Sequence, residues 1–412
     1  MKHLSIDIET YSSVNISKAG AHKYAESEDF EVLLFAYKED AQPTKVIDLV
    51  SGEKIPAHIV AALSDASIIK HAFNAAFEWI CLNRAGYFTP IEQWRCTMIH
   101  GLYCGYPAGL EAIGKAIGLP EDKQKLSTGK ALINYFCKPC KPTKSNGSRS
   151  RNLPKHAPGK WELFKEYNRQ DVEAESSILK KLTTHPVPEA AWAAWVEDIG
   201  INSRGVAIDD RLLTGALALD DMSTAELVDE AKAITGLSNP NSNAQLLGWV
   251  ISQGIEVDNL RKETVSDLLD GELPENVRAA LELRQKLGKS SVSKYKAMAD
   301  ARGKDGRVRG LLQFYGANRT GRWAGRLVQV QNLPRNYIKT LDEARELVKA
   351  ANYRGLKLIY GNVPDTLSQL IRTAFIPADG KKFIVSDFSA IEARVIAWLA
   401  GENWVLDVFK SG

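Results

Sequence analysis

The sequence predicts an α/β domain at the N-terminus, a mostly helical middle and the beginning of a mixed α+β region. Three observations predict this order. Residues 1–110 alternate short β-branched runs (HLSIDIET, EVLLFAY, TKVIDLV) with helical stretches, the pattern of a sheet covered by helices. From 189 to about 300 the periodicity is almost purely helical, in AAWAAWVEDIG, RLLTGALALDDMSTAELVDEAKAIT, NAQLLGWVISQG and PENVRAALELRQKLG. After 305 short strands and turns return, then a helix near 341–352, then a final strand and helix.

Bulk properties bound the reading. A chain of 412 residues exceeds what one hydrophobic core serves, so two or three domains are expected. Hydrophobic content of 44% and charged content of 25% are ordinary for a soluble globular protein. A net charge of +3 permits a nucleic-acid partner without demonstrating one. No apolar run is long enough to span a bilayer, and an acidic pair stands where a signal peptide needs its apolar region, so no membrane is expected. The five cysteines (Cys81, Cys96, Cys104, Cys137, Cys140) form no secretory framework and point to a reducing cytoplasm.

The first strand holds Ile6-Asp7-Ile8-Glu9-Thr10. Strand alternation puts Asp7 and Glu9 on one face, between apolar Ile6 and Ile8. Burying two neighbouring carboxylates is costly unless a cation neutralises them; a solvated edge face is the alternative. Asn74-Ala75-Ala76-Phe77-Glu78 follows the apolar strand ASIIKHAF and opens a helix. Tyr167 and Asp171 share one face of a later helix through i,i+4 spacing.

Between these segments lie two weaker signals. Cys137 and Cys140 lack the second pair a zinc site needs and the strand-to-helix context of a redox pair, so their spacing reads as coincidence. From 138 to 160 the chain has no acidic residue but carries Lys138, Lys141, Lys144, Arg149, Arg151, Lys155 and Lys160. Its composition reads as a flexible basic loop, either plain solvated surface or an electrostatic guide for a nucleic-acid strand. His185-Pro186-Val187-Pro188 then reads as a linker.

The helical middle contains Gly205-Val206-Ala207-Ile208-Asp209, and Asn239-Pro240-Asn241-Ser242-Asn243-Ala244-Gln245-Leu246, which by itself reads as a turn plus a helix cap. The helix ELRQKLGKSSVSKYKAM sets Arg284, Lys286, Lys289, Lys294 and Lys296 near small residues, where a duplex backbone can approach closely; an ordinary solvated face is the alternative. Near the end, Val385-Ser386-Asp387-Phe388-Ser389-Ala390-Ile391-Glu392-Ala393-Arg394 closes an apolar strand with Asp387 and starts an apolar helix with Glu392.

That last run resembles the palm motif of family A DNA polymerases, DYSQIELR in its commonest form, and is most similar to the phage and prophage variant. Phe388, Ala390 and Ala393 stand here for Tyr, Gln and Leu. The resemblance implies that Asp387 holds catalytic Mg²⁺ and that Glu392 is the steric gate against a ribose 2′-hydroxyl. Thr320-Gly321-Arg322 through Gln331-Asn332-Leu333-Pro334-Arg335 resembles the family's TGRLSS…PNLQNIP stretch, which implies minor-groove contacts by Arg322, Gln331 and Asn332. Such donors meet acceptors common to all base pairs and so test pair geometry without sequence preference. Trp323-Ala324-Gly325-Arg326 replaces the usual serines, and Val328-Gln329 stands where PN is common. Arg372, in IRTAF, matches a family arginine near the incoming nucleotide. The segments at 205–209 and 239–246 resemble family landmarks at the entry to palm and thumb, which places Lys289 and Lys294 against duplex DNA.

The N-terminal series DxE, NxxF-acid, YxxxD resembles the DEDDy proofreading exonucleases. Hydrolysis of a phosphodiester by two metals needs carboxylates that hold the ions ~3.5–4 Å apart. Hard Mg²⁺ or Mn²⁺ prefers such oxygen ligands. The resemblance implies that Asp7 bridges both ions, that Glu9 and Asp171 complete the first, and that Tyr167 orients or deprotonates the attacking water. Glu78 stands where aspartate is usual; one methylene longer, it would hold the second ion through water. Asn74 and Phe77 either shape this site or serve as a plain helix cap and core residue.

The resemblance covers essentially the whole chain. It implies a ribonuclease H-like α/β exonuclease domain over 1–185, palm entry and helical thumb over 186–304, and an incomplete α+β palm over 305–412. The chain stops at Gly412 before a fingers helix or a second palm aspartate, so nucleotide addition by this chain alone is not expected. The expected activity is Mg²⁺-dependent 3′→5′ exonuclease on a single-stranded 3′ end, with primer–template duplex as the other DNA partner. Two alternatives stay open. One is synthesis from deoxynucleotides where the missing parts are supplied; the other is a DNA-binding subunit silenced by Glu78. The expected place of action is the cytoplasm of a bacterial host or phage-infected cell, and no processivity partner is indicated.

Overall fold

The computed structural model describes residues 1–120, 129–288, 292–317 and 319–411, so Lys289 lies outside the described residues. The chain divides into two units, Met1–Ile376 and Pro377–Gly412. The fold is mixed α/β with a helical majority.

The first unit begins with a five-stranded sheet of β1 (His3–Tyr11), β2 (Glu31–Glu39), β3 (Lys45–Asp48), β4 (Ile69–Ala72) and β5 (Trp94–Cys96), in the order β3-β2-β1-β4-β5. β1 pairs antiparallel with β2 and parallel with β4; β2–β3 is antiparallel and β4–β5 parallel. A central strand is covered on both faces, and β1 shows it. Leu4, Ile6 and Ile8 enter the main core, whereas Ser5, Asp7, Glu9 and Tyr11 alternate onto the other face.

Helices α1 (Ile16–Ala25), α2 (Ala57–Ser64), α3 (Ala75–Arg84), α4 (Thr97–Tyr103), α5 (Leu110–Ala116), α6 (Gly129–Phe136) and α7 (Pro158–Leu182) flank this sheet. Proline at the start of α7 costs no hydrogen bond, because a first-turn N–H has no helical partner. α7 packs against β1, β2 and β3 and buries Trp161, Phe164, Tyr167, Asn168, Asp171 and Ile178. The basic segment before it is internally hydrogen-bonded rather than featureless. Thr143 and Asn146 bond reciprocally, Arg149 donates to Asn152 at 2.8 Å, and the Arg151 guanidinium lies 3.8 Å over the Tyr11 ring. Composition suggested flexibility; the short Asn, Thr and Ser side chains instead satisfy the turns locally.

α8 (Glu189–Arg204) sends Trp192, Trp195 and Ile199 into the same core as the sheet, together with Phe314. β6 (Val206–Ile208) follows, then α9 (Asp210–Thr235), α10 (Asn243–Ser252), α11 (Lys262–Asp270), α12 (Glu275–Leu287) and α13 (Ser293–Ala301). Asp209 and Ser242 cap α9 and α10 by accepting from Leu212 N at 3.1 Å and Gln245 N at 3.4 Å. Next come β7 (Arg307–Val308), β8 (Leu312–Ala317), β9 (Arg322–Gly325), α14 (Leu341–Lys349), α15 (Tyr353–Tyr360), α16 (Val363–Leu370) and β10 (Phe375–Ile376). β10, β6 and β7 form a small sheet in that order, and β8–β9 is a separate hairpin. A second core joins Leu212, Leu219, Tyr295, Val308, Val348 and Leu370.

The second unit holds α17 (Ile391–Ala400) and α18 (Asn403–Ser411), packed against each other, with Arg394 lying 4.2 Å over the Phe409 ring. The strand expected to close on Asp387 is not formed; residues 381–388 have no regular secondary structure. A strand exists only with a hydrogen-bonded neighbour, and among the described residues none pairs with this run. No helix among the described residues is long and apolar enough to cross a membrane.

Candidate functional site

One carboxylate oxygen from each of Asp7, Glu9 and Asp171 lies within 4.8 Å of the others. β1 supplies the first two by strand alternation. The register against β2 shifts between Glu9 and Thr10, where β2 carries the extra residue, Leu33. α7 supplies Asp171, and Tyr167 one turn before it, from buried positions facing β1. Residues far apart in sequence therefore converge.

Glu78 reaches the same neighbourhood from the first turn of α3 and is 4% exposed. Burial pushes its carboxyl well above the usual range, and Asp7, Glu175 and Asp171 push in the same direction. Its Oε2 is buried with no hydrogen-bond partner. Tyr167 is 1% exposed; burial first, then Asp171, Glu9 and Asp7, raise its phenol far above its ordinary value. Asn74 precedes α3 without a side-chain cap bond, and Phe77 packs on the main core.

Two residues without a sequence-assigned role belong here. Asn168 Nδ2 donates to Asp7 Oδ2 at 2.6 Å. Glu175, one turn beyond Asp171 on α7, accepts from the Thr97 and Ser5 hydroxyls; burial pushes its carboxyl up to about 7. Its i,i+4 spacing from Asp171 was the only available signal. The Cys137 thiol donates to Glu9 Oε2 at 3.8 Å, while Cys140 points to Arg149 O, so the two sulfurs serve different partners. A cavity of about 500 Å³ opens beside Glu9, lined by Thr10, Ser13, Tyr24, Phe77 and Cys137.

The remaining predicted residues belong to other elements. Arg322 is exposed at the start of β9, and Gln331 and Asn332 are exposed on a short turn beyond it. Arg372 donates to the carbonyls of Pro334 at 2.9 Å and Leu333 at 2.8 Å, which ties it to the end of that turn. Lys294 is half-buried on α13, and burial lowers its pKa. Asp387 and Glu392 are in the second unit, Glu392 in the first turn of α17.

No protein-family model matches the chain. It is 52% identical over 414 aligned residues to a DNA polymerase of Bacillus phage SP02, an alignment that covers 100% of this chain and 63% of that protein. Among solved structures, the polymerase domain of Pol1 from M. smegmatis, in complex with DNA primer-template and dNTP, superposes with a TM-score of 0.52 at 15% identity. That superposition covers 96% of this chain and 58% of the other. The chain thus spans less than two thirds of either relative. Its fold is that of a DNA polymerase domain. By sequence, it belongs to the family A DNA polymerases.

Proposed function

We propose that residues 1–185 form a ribonuclease H-like 3′→5′ proofreading exonuclease that hydrolyses DNA with two divalent metal ions. The convergence of Asp7, Glu9 and Asp171 within 4.8 Å, beside Tyr167 and Glu78, carries this reading. The β3-β2-β1-β4-β5 order, antiparallel then parallel, supports the fold assignment.

The donor set fits a hard divalent cation. Four carboxylates, two of them on one strand face, repel one another when ionised, and the buried Glu78 Oε2 without a hydrogen-bond partner suits an ion ligand. Asp7, Glu9 and Asp171 would hold one Mg²⁺ or Mn²⁺, and Asp7 with Glu78 the other. When bound, such ions generate hydroxide from water and offset charge on the leaving 3′-oxygen. The chain's own side chains do the positioning. Asn168 fixes the Asp7 carboxylate from α7. Tyr167, whose phenol burial and the neighbouring carboxylates push upward in the metal-free protein, would orient or deprotonate the attacking water. The cavity beside Glu9 is large enough for a terminal nucleotide, within the ~300–1,000 Å³ usual for small ligands.

Incubation with 3′-labelled single-stranded DNA and Mg²⁺ tests the reading. Progressive shortening is expected, stopped by chelation and by Asp7→Ala. No shortening, or shortening untouched by Asp7→Ala, overturns it.

The identity to a phage DNA polymerase supports a second activity for the whole protein: template-directed synthesis from deoxynucleotides, in the cytoplasm of a bacterial host or phage-infected cell. Residues 186–304 would then be palm entry and thumb, and 305–412 part of the palm. Asp387 would bind metal, Glu392 and Arg372 would face the nucleotide, and Arg322, Gln331, Asn332, Lys289 and Lys294 would hold the duplex. Primer extension, by the chain alone and with the rest of a relative's polymerase region added, tests this. Gel-shift binding without cleavage or extension would instead mark a DNA-binding subunit.

A further inference from the structure

We infer that Gly129 is a positioning residue for Tyr167: its missing side chain sets where the phenol stands in the proposed exonuclease site. The functional consequence rests on that reading; the packing does not. Gly129 is buried on α6. A Cβ built on it would lie 2.0 Å from Cε2, 2.5 Å from Cζ and 2.7 Å from Cδ2 of Tyr167. Cζ carries the phenol oxygen, so the approach is at the functional end of the ring.

The main chain at Gly129 does not itself call for glycine, since its φ lies outside the left-handed region. Alanine is in general the better helix former. Space alone forbids it here.

The ring can move aside only by disturbing its neighbours. Phe164 stacks nearly parallel to it, with centroids 6.1 Å apart and an interplanar angle of 11°. Phe164 is backed in turn by Phe136, from the far end of α6, at 5.5 Å and 18°. α6 therefore packs against the aromatic ladder of α7 at both ends, and Leu132, Trp161 and Phe164 close the cluster. Close-packed interiors resist an added methyl, and a catalytic group displaced by ~1 Å can cost on the order of 100-fold in rate.

A double-mutant cycle tests this, using Gly129→Ala, Tyr167→Ala and the pair, with Gly129→Ala/Tyr167→Phe as the control that keeps the ring. Gly129→Ala should lower the thermal midpoint in the wild-type and Tyr167→Phe backgrounds, and should lower it no further in the Tyr167→Ala background, whose own loss comes from the deleted ring. With 3′-labelled single-stranded DNA, Gly129→Ala should lower kcat by roughly 10- to 100-fold with KM unchanged. It should lower nothing further when Tyr167 is already alanine. Additive losses in midpoint and rate, or wild-type kcat in Gly129→Ala, overturn the inference. A wild-type protein that degrades nothing overturns the exonuclease reading instead, and the midpoint coupling then decides the packing.

Discussion

The side-chain amide of Asn168 donates both to Oδ2 of Asp7 at 2.6 Å and to the main-chain carbonyl of Asp7 at 3.2 Å. α7 thus grips β1 at a proposed ligand and at the backbone that carries it. Asn168 is fully buried, so no water can replace it. Losing such an outer partner usually costs ~10- to 100-fold in metal affinity or activity. Asn168→Leu should raise the Mg²⁺ concentration for half-maximal exonuclease rate by that order. Asn168→Asp, which adds a like charge, should do worse. A Mg²⁺ titration of the rate with an unchanged midpoint would count against this role.

Glu78 poses the opposite problem, a carboxyl that the metal-free protein would be better without. It is buried against Asp7, Glu175 and Asp171, and its neutral form is favoured. Glu78→Gln should therefore raise the melting temperature in chelator while it lowers the exonuclease rate. The rise in melting temperature on adding Mn²⁺ should shrink. Glu78→Asp should keep the metal-induced rise. A Gln variant that melts lower than wild type in chelator would refute the argument.

The sequence exposes this site unevenly, and the reason is geometric. Asp7 with Glu9, and Tyr167 with Asp171, are pairs fixed by strand and helix periods, so local spacing alone places each pair on one face. Glu175 is invisible at that level: its partners Ser5 and Thr97 sit on β1 and α4, and only tertiary packing brings them together. Gly129 is hidden likewise, because nothing in STGKALINYF announces a ring from α7. The run Phe383-Ile384-Val385 shows the converse error. Its β-branched, apolar composition reads as a strand, yet pairing belongs to two segments and not to one.

A pH effect follows from His71. This histidine on β4 is buried, and burial first, then His3, Arg95 and His100, lower its pKa from 6.5 to about 3. The unfolded chain therefore takes up the proton first as pH falls. The stabilising term is complete above pH 6.5 and is lost steadily down to about 3. The loss is up to ~1.4 kcal/mol per pH unit, or ~2 kcal/mol between pH 6.5 and 5. Urea unfolding at pH 7 and pH 5 should show a larger acid loss for wild type than for His71→Gln. His22, lowered to about 4 mainly by burial, adds an acid loss in both proteins, and the raised carboxyls of Glu78 and Glu175 oppose it in both, so the comparison isolates His71. Equal losses would mean that His71 titrates normally.

Asp209 combines two roles that substitution can separate. Its Oδ1 accepts from Leu212 N and caps α9; its Oδ2 pairs with Arg345 at 2.9 Å and Lys349 at 3.4 Å, both on α14. Arg345 also donates to Thr373 O, so one guanidinium joins the start of α9 to the 3₁₀ turn Ile371–Ala374 that follows α16. The carboxylate is only 14% exposed, which places the pair between surface bridges of little worth and buried ones that are costly to break. Asp209→Ala removes cap and pair and leaves Arg345 partly buried without its counter-charge, a loss of ~2–4 kcal/mol. Asp209→Asn keeps the capping oxygen and should lose about half as much. Denaturant midpoints of the two variants, with Arg345→Met as the third corner, measure the partition. If Asn loses as much as Ala, the pairing with α14 carries the whole effect, and the cap adds nothing.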